Sequence, residues 1–318
     1  MTKLEKDIFA DKKILVVGDI MMDRYICGNV SRISPEAPVP IVDVEDKTEI
    51  LGGAANVAHN LVTLGSKAIL CGIIGADIIG GAILREVSNL DLPINTIIID
   101  PDRPTTIKTR VIGNNHQIIR FDEESRERIK DKFIERIVEM VKSNIKNVDG
   151  IIVSDYNKGV VSPPLMSKLR EVVNLSTFII SDPHKDNFGS HKYVNIIVPN
   201  KEAVSVFCGF EIKDDEDLRY AAKKLFHSLV CGSILITRGK EGMTLFESKD
   251  RIMSIQTDAK EVFDVSGAGD TVVVALSLGL ASGMDIKSAV RLANKAAGVV
   301  VGKKGTATLN IEELNEVL

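Results

Sequence analysis

Short runs of aliphatic and β-branched residues alternate with longer amphipathic segments along nearly the whole chain. This alternation constrains the fold more than any other feature. A strand that crosses over through a helix to a parallel neighbour needs both faces of its sheet covered, so its apolar stretch is continuous rather than alternating. Lys13-Ile14-Leu15-Val16-Val17-Gly18-Asp19 is the first such run, and Ala68 to Gly72, Gly150 to Ser154, Thr177 to Ser181, Ile196 to Pro199 and Ser233 to Thr237 follow. All are read as central strands. Between them, Ile129, Phe133, Ile137, Val141 and Ile145 recur every four residues among Lys, Arg and Glu, which predicts an amphipathic surface helix over 125–146. Residues 214–229 read the same way. Thr271 to Ala281 is apolar around its whole circumference, with Gly283 beyond it as a stop, and is predicted to be a buried helix. The fold class is therefore α/β, a doubly wound, mostly parallel sheet with helices on both faces.

Two stretches break the rhythm. Residues 24–50, with prolines at 35, 38 and 40, and residues 95–122, which read as several short strands, are assigned to a small accessory sheet. With 318 residues, 44% of them hydrophobic, the chain can bury a large core. No Gly/Ser/Pro-rich linker or internal repeat divides it, so residues 1–318 are read as one domain carrying a small lid. A net charge of -4 gives no general basic field, which argues against nucleic acid as a partner. The longest apolar stretch, Val272 to Ala281, is about half of a ~20-residue membrane span. Cys27, Cys71, Cys208 and Cys231 form no metal-spaced cluster, and the N-terminus has no secretory pattern. A cytoplasmic protein with reduced thiols and no membrane partner is expected.

The run Asp264-Val265-Ser266-Gly267-Ala268-Gly269-Asp270-Thr271 stands just before the buried helix, where backbone N–H groups and the helix dipole favour an anion. Two glycines let the backbone approach a phosphate, and Asp270 can accept a proton from a substrate hydroxyl. Phosphoryl transfer needs those two functions together. Read alone, the run is equally a tight turn with a capping Asp.

Asp264 to Thr271 resembles the carboxy-terminal signature of the ribokinase (PfkB) family, D-x-x-G-A-G-D, and Gly52-Gly53-Ala54-Ala55-Asn56-Val57-Ala58 resembles its amino-terminal one. Within that family the resemblance narrows. Val17-Gly18-Asp19-Ile20-Met21-Met22-Asp23-Arg24-Tyr25 and Ser31-Arg32-Ile33-Ser34-Pro35-Glu36 resemble the opening of the bacterial D-glycero-β-D-manno-heptose-7-phosphate kinases. So do Pro104 to Val111, Gln117 to Arg120, Ser154-Asp155-Tyr156, Lys158-Gly159, and the stretch from Ala296 to Lys303 with Gly305 and Thr306. The resemblance covers nearly the whole chain. Some members are fused to an adenylyltransferase with an H-x-G-H site; the sequence has no such run, and a stand-alone kinase is expected.

The resemblance implies a ribokinase-like fold with a β lid, and an ATP-dependent, Mg²⁺-assisted transfer to the anomeric hydroxyl of a heptose 7-phosphate, with K⁺ as a further ion used in the family. It implies Asp270 as base and the amides of Gly267, Ala268 and Gly269 on the γ-phosphate. Thr237, Gly239 and Gly242, with Asn200, Lys201, Glu202, Asp264 and Asn294, are the nucleotide-side candidates, though a plain hairpin turn explains 237–242 nearly as well. Asp19, Asp23, Gly52, Gly53 and Asn56 are the sugar-side candidates. Lys108, Arg110, Arg120 and Arg32 are the candidates for the sugar's own phosphate, because arginine forms fork-like hydrogen bonds to phosphate. Two departures stand out. Asn200-Lys201-Glu202 puts Glu two residues beyond Asn where the family has three, which weakens Glu202 as a water-mediated Mg²⁺ residue. Asp182-Pro183-His184-Lys185 replaces the more usual Asp-Pro-Lys. A homodimer through the lid is also expected. The alternatives are a kinase of the same family for ribose, fructose or a nucleoside, and a non-catalytic nucleotide or sugar sensor. An NAD-dependent dehydrogenase is set aside because no G-x-G-x-x-G turn follows the first strand.

Overall fold

The computed structural model describes residues 3–174, 176–259, 262–303 and 305–318. Strand β1 (Lys13–Gly18) leads almost directly into a long antiparallel hairpin, β2 (Ile20–Ile33) and β3 (Pro40–Gly53), followed by α1 (Ala54–Thr63) and β4 (Lys67–Gly75). After α2 (Ile78–Asn89) and β5 (Ile97–Asp100) comes a second hairpin, β6 (Thr106–Gly113) and β7 (His116–Glu123). Then α3 (Asp131–Asn144), β8 (Gly150–Ser154), α4 (Pro163–Val172), β9 (Phe178–Asp182), β10 (Ile196–Ile197), α5 (Lys201–Cys208) and α6 (Asp215–Leu229) alternate. The chain closes with β11 (Ser233–Thr237), β12 (Met243–Phe246), β13 (Ile252–Ile255), α7 (Ala268–Ala281), α8 (Ile286–Val300) and α9 (Ile311–Asn315).

The main sheet has the order β13-β12-β11-β10-β9-β8-β1-β4-β5, and only β12 runs against the other strands. All six runs read as central strands are internal to it. Alternate residues of each strand feed two cores. Ile14, Val16 and Leu70 pack with α1, α7 and α8 on one face, while Leu15, Val17 and Cys71 pack with α3, α4 and α6 on the other. Continuous apolar strands are what such two-sided coverage requires. Helix α7 is buried from Asp270 to Gly279, and Gly283 follows at φ +83°. All four cysteines are free, Cys71, Cys208 and Cys231 being buried, and no helix among the described residues is long and apolar enough to cross a membrane.

The second sheet has the order β3-β2-β6-β7. Its inner end is buried at Ile20, Met21 and Met22 of β2 and Leu51, Gly52 and Gly53 of β3, while β2 is exposed toward its tip at Ser31, Arg32 and Ile33 and β3 along most of its length from Asp43 to Glu49. Two expectations need correction. Residues 97–100 do not join this sheet but form the edge of the main one, with Ile97 opposite Gly72, because Ile97 and Ile98 fill opposite cores. The helix expected from 125 begins at Asp131, because the buried Ile129 donates its N–H to Gly159 O at 3.0 Å, where a helix running from 125 would return it to Ser125 O.

Candidate active site

Gly267, at φ +79°, turns the chain into α7 and places Asp270 in its first turn, 3% exposed. Two side chains hold the carboxylate. Asn56 Nδ2 donates to Oδ2 at 2.6 Å, and the Tyr156 hydroxyl donates to Oδ1 at 2.9 Å. Burial raises the Asp270 pKa to about 6; the hydrogen bonds from Asn56 and Tyr156 pull it back, Asp23 adds to the rise and Lys108 opposes it. A carboxylate in this range is ionised at neutral pH yet basic enough to take a hydroxyl proton.

Asn56 is fully buried, and its own Oδ1 accepts from Asn60 Nδ2 at 3.1 Å. Its amide therefore links the base to α1. Asp19 is also held by protein groups. Its buried carboxylate accepts the N–H groups of Tyr156, Lys158 and Val160 at 2.8, 3.0 and 3.1 Å, so it anchors the loop after β8. Burial, and then the nearby Asp155, raise its pKa to about 6 against those three hydrogen bonds. Gly53, at φ +56°, ends β3 and opens α1, and a Cβ there would lie 2.4 Å from Asp19 O. A Cβ on Gly52 would lie 2.6 Å from Asp23 Oδ2. The glycine pair lets the lid root pass over both aspartates.

The cations on the lid are differently engaged. Arg110 pairs with Asp23 at 2.5 Å, and Arg120 grips Asp122 through two nitrogens at 2.8 and 2.5 Å. Lys108 stands opposite Asp23 on β2 and Asp122 on β7, with its ammonium 4.8 Å from the centre of the Tyr156 ring. Desolvation lowers its pKa and Asp23 partly restores it. Arg32 is not brought to the site. It pairs with Asp43 in the exposed part of the hairpin, nine residues beyond Asp23 on β2, or roughly 30 Å away at about 3.3 Å per residue. Residue reading missed a fourth cation, Lys158, which is buried beside Glu124 at 2.6 Å. A lysine inside an otherwise loop-like Ser-Asp-Tyr-Asn-Lys-Gly run was the available signal.

A cleft of about 740 Å³ lies at the start of α7, lined by Ala268, Gly269, Thr237, Gly242, Asn294 and Val301 among others. A smaller one of about 330 Å³ is lined by Asp155, Tyr156, Asp182, His184 and Lys185. The two share Asn200, Glu202, Thr237 and Gly269, and so meet one residue from the base. Asn294 is buried, its amide donating to Gln256 O and Asp258 Oδ2. Gly239 and Gly242 belong to the β11–β12 hairpin turn, Gly242 at φ +83° with its Cβ direction blocked by Ile255 O. Asn200 caps α5, accepting from Ala203 N–H at 2.7 Å, and Lys201 reaches Glu241. Of the three glycine-turn amides, that of Ala268 returns to Val265 O at 3.2 Å. Asp264 ties the turn to the following loop by accepting from Ser266 N–H and Gly305 N–H. Asp182 was also missed as a functional candidate; burial, then the Asp270 and Asp155 carboxylates, hold its pKa well above the usual carboxylate range. Behind it, buried His191 bridges Ser181 and Asp155.

The sequence profile described as "pfkB family carbohydrate kinase" matches residues 11–313. The bifunctional protein HldE of Desulfatibacillum aliphaticivorans is 43% identical over 312 residues, covering 98% of this chain and 64% of that protein. HldE of Helicobacter pylori is 37% identical, covering 96% of this chain and 66% of that protein. The chain thus spans about two-thirds of the length of these relatives. In solved structures, Arabidopsis thaliana ribokinase complexed with ribose and ATP superposes with a TM-score of 0.75 at 18% identity, covering 97% of this chain and 99% of that one. Escherichia coli phosphofructokinase-2 in complex with potassium gives 0.78 at 16% identity, covering 96% and 97%. At these identities the structural likeness shows the fold.

Proposed function

The chain belongs to the pfkB family of carbohydrate kinases, and from that premise we propose that it transfers the γ-phosphate of ATP to the anomeric hydroxyl of D-glycero-β-D-manno-heptose 7-phosphate. The observation that carries the reading is the placement of Asp270, a buried base with a pKa of about 6, one residue from Gly269, where a nucleotide-sized cleft and a smaller carboxylate-rich one meet, and held by the Tyr156 hydroxyl whose ring carries the lid lysine Lys108. In this scheme the sugar O–H gives its proton to Asp270 as its oxygen bonds to the γ-phosphorus. The bond from phosphorus to the bridging oxygen breaks, and ADP leaves with the electron pair. Amides at the start of α7 stabilise the anionic phosphoryl group, helped by the helix dipole.

A phosphorylated substrate is supported by the charge around the lid root. Lys108, Arg110, Arg120 and Lys158 gather there beside Asp23, Asp122 and Glu124, and Lys108 stands over the ring that touches the base. The two-point grip of Asp122 on Arg120 favours, as a second reading, a neutral sugar. HldE identities near 40% favour the heptose phosphate. Among the described residues no group of three or more His, Cys, Asp or Glu is set to hold a metal. That suits magnesium, which keeps its waters and binds nucleotide phosphates more than protein cages. Glu202, exposed where the clefts meet and 3.5 Å from Lys185, is the residue that would hold it through water. Bound there, magnesium would neutralise phosphate charge. Val44, Ile119 and Phe121, exposed on the lid, support self-association through that sheet.

An ADP-release assay across ribose, fructose, nucleosides, mannoheptose and mannoheptose 7-phosphate tests the substrate assignment. The heptose phosphate is expected to give the highest kcat/KM, and a preference for any unphosphorylated sugar would refute it.

A further inference from the structure

The reading of Asp270 as base leaves open what keeps its carboxylate aimed when the lid moves. Asn56 holds Oδ2 from α1, inside the main core, and is fixed by Asn60. Oδ1 has a different partner, the Tyr156 hydroxyl, and Tyr156 belongs to the loop after β8. That loop is pinned by the three N–H groups donated to Asp19, the residue from which the lid strand β2 departs. The face of the same ring carries Lys108 of lid strand β6 at 4.8 Å, a cation–π geometry. One aromatic side chain thus touches the base with its hydroxyl and the lid with its face.

We infer that Tyr156 is a positioning residue that fixes the base carboxylate through Oδ1 and seats the lid lysine on its ring, so that aiming of the base and closure of the lid depend on one side chain. The inference rests on the base role of Asp270 proposed above. The phenol stays a donor, because burial and the Asp270 carboxylate keep its pKa well above its ordinary value. Asp270 also experiences Asp23 from β2 and Lys108 from β6, with Asp182 at the end of β9 on its far side. Removing the phenolic hydroxyl leaves those charges in place and takes away one donor to the ionised form, so the base becomes harder to deprotonate.

Two variants separate the two contacts. Tyr156→Phe keeps the ring and loses the donor. In it the acid limb of the kcat profile should move up by roughly one pH unit, with kcat at pH 8 down about tenfold and the sugar KM held within about twofold. Tyr156→Leu loses both contacts and should show the same limb shift together with a sugar KM raised about fivefold or more. An acid limb unchanged in Tyr156→Phe would mean that the phenol leaves when substrate arrives, and would overturn the inference. Equal KM values in the two variants would overturn the seating of Lys108. Failure of the underlying base reading looks different: the wild-type profile would then lack an acid limb near pH 6.

Discussion

Asp270→Asn should do two opposite things to the protein. The base contributes about 10²–10⁴-fold to transfer, so kcat/KM should fall by that factor, equivalent to about 3–5 kcal/mol of transition-state stabilisation. The carboxamide resembles the protonated carboxyl: its oxygen can accept from Asn56, and the Tyr156 hydroxyl can turn to accept from its NH₂. The fold should therefore tolerate it. The ionised carboxylate, by contrast, stresses the fold. Its pKa is raised from 3.8 to about 6, so the folded state holds the proton more tightly than the unfolded chain. The stability conferred by that proton is complete below pH 3.8, falls as the pH rises to about 6, and is absent above. The interval corresponds to about 3 kcal/mol. At pH 8 the variant should be more stable than the wild type by up to about that amount, and the gain should vanish near pH 4. Urea unfolding at both pH values, beside ATP turnover, measures it. A variant less stable than wild type at pH 8 would refute the account of a base held ionised against its burial.

Three further outcomes follow from the same geometry. The kcat/KM of the wild type should fall tenfold per pH unit below about pH 6, since Asp270 must be ionised in the free protein, and a profile flat down to pH 4.5 would contradict this. Lys108→Met should raise the KM of a phosphorylated sugar about tenfold or more while changing that of its unphosphorylated counterpart far less; an equal effect on both would remove Lys108 from phosphate binding. Gly53→Ala should destabilise the protein by roughly 1–3 kcal/mol in chemical denaturation, because its φ is positive and its Cβ would stand 2.4 Å from Asp19 O. A neutral result would show that the lid root can shift.

The six internal strands and the buried helix were legible because two-sided burial writes continuous apolar runs. Strands β12 and β13 at the other end of the main sheet were not, since they are short and half exposed or joined by tight turns. Asp270, Gly267 and Gly269 were legible as a local run. Asp19 and Asn56 were found, but their protein partners were not, because those partners lie 137 and 214 residues away and sequence spacing carries no trace of such a contact. Tyr156, Lys158 and Asp182 stood in runs that resemble the family's, yet an aromatic, a lysine and an aspartate on loops have no residue-level signature of their roles. Arg32 shows the converse: a plausible residue type on a strand long enough to carry it roughly 30 Å past the site.

The most direct test of the proposed activity is phosphorus-31 NMR of the protein with ATP, Mg²⁺ and D-glycero-β-D-manno-heptose 7-phosphate. The account predicts a new resonance of an anomeric phosphate that grows with ADP, coupled to the sugar H1, while the 7-phosphate resonance persists. Growth of inorganic phosphate alone, or of a phosphate coupled to any other ring proton, would contradict it.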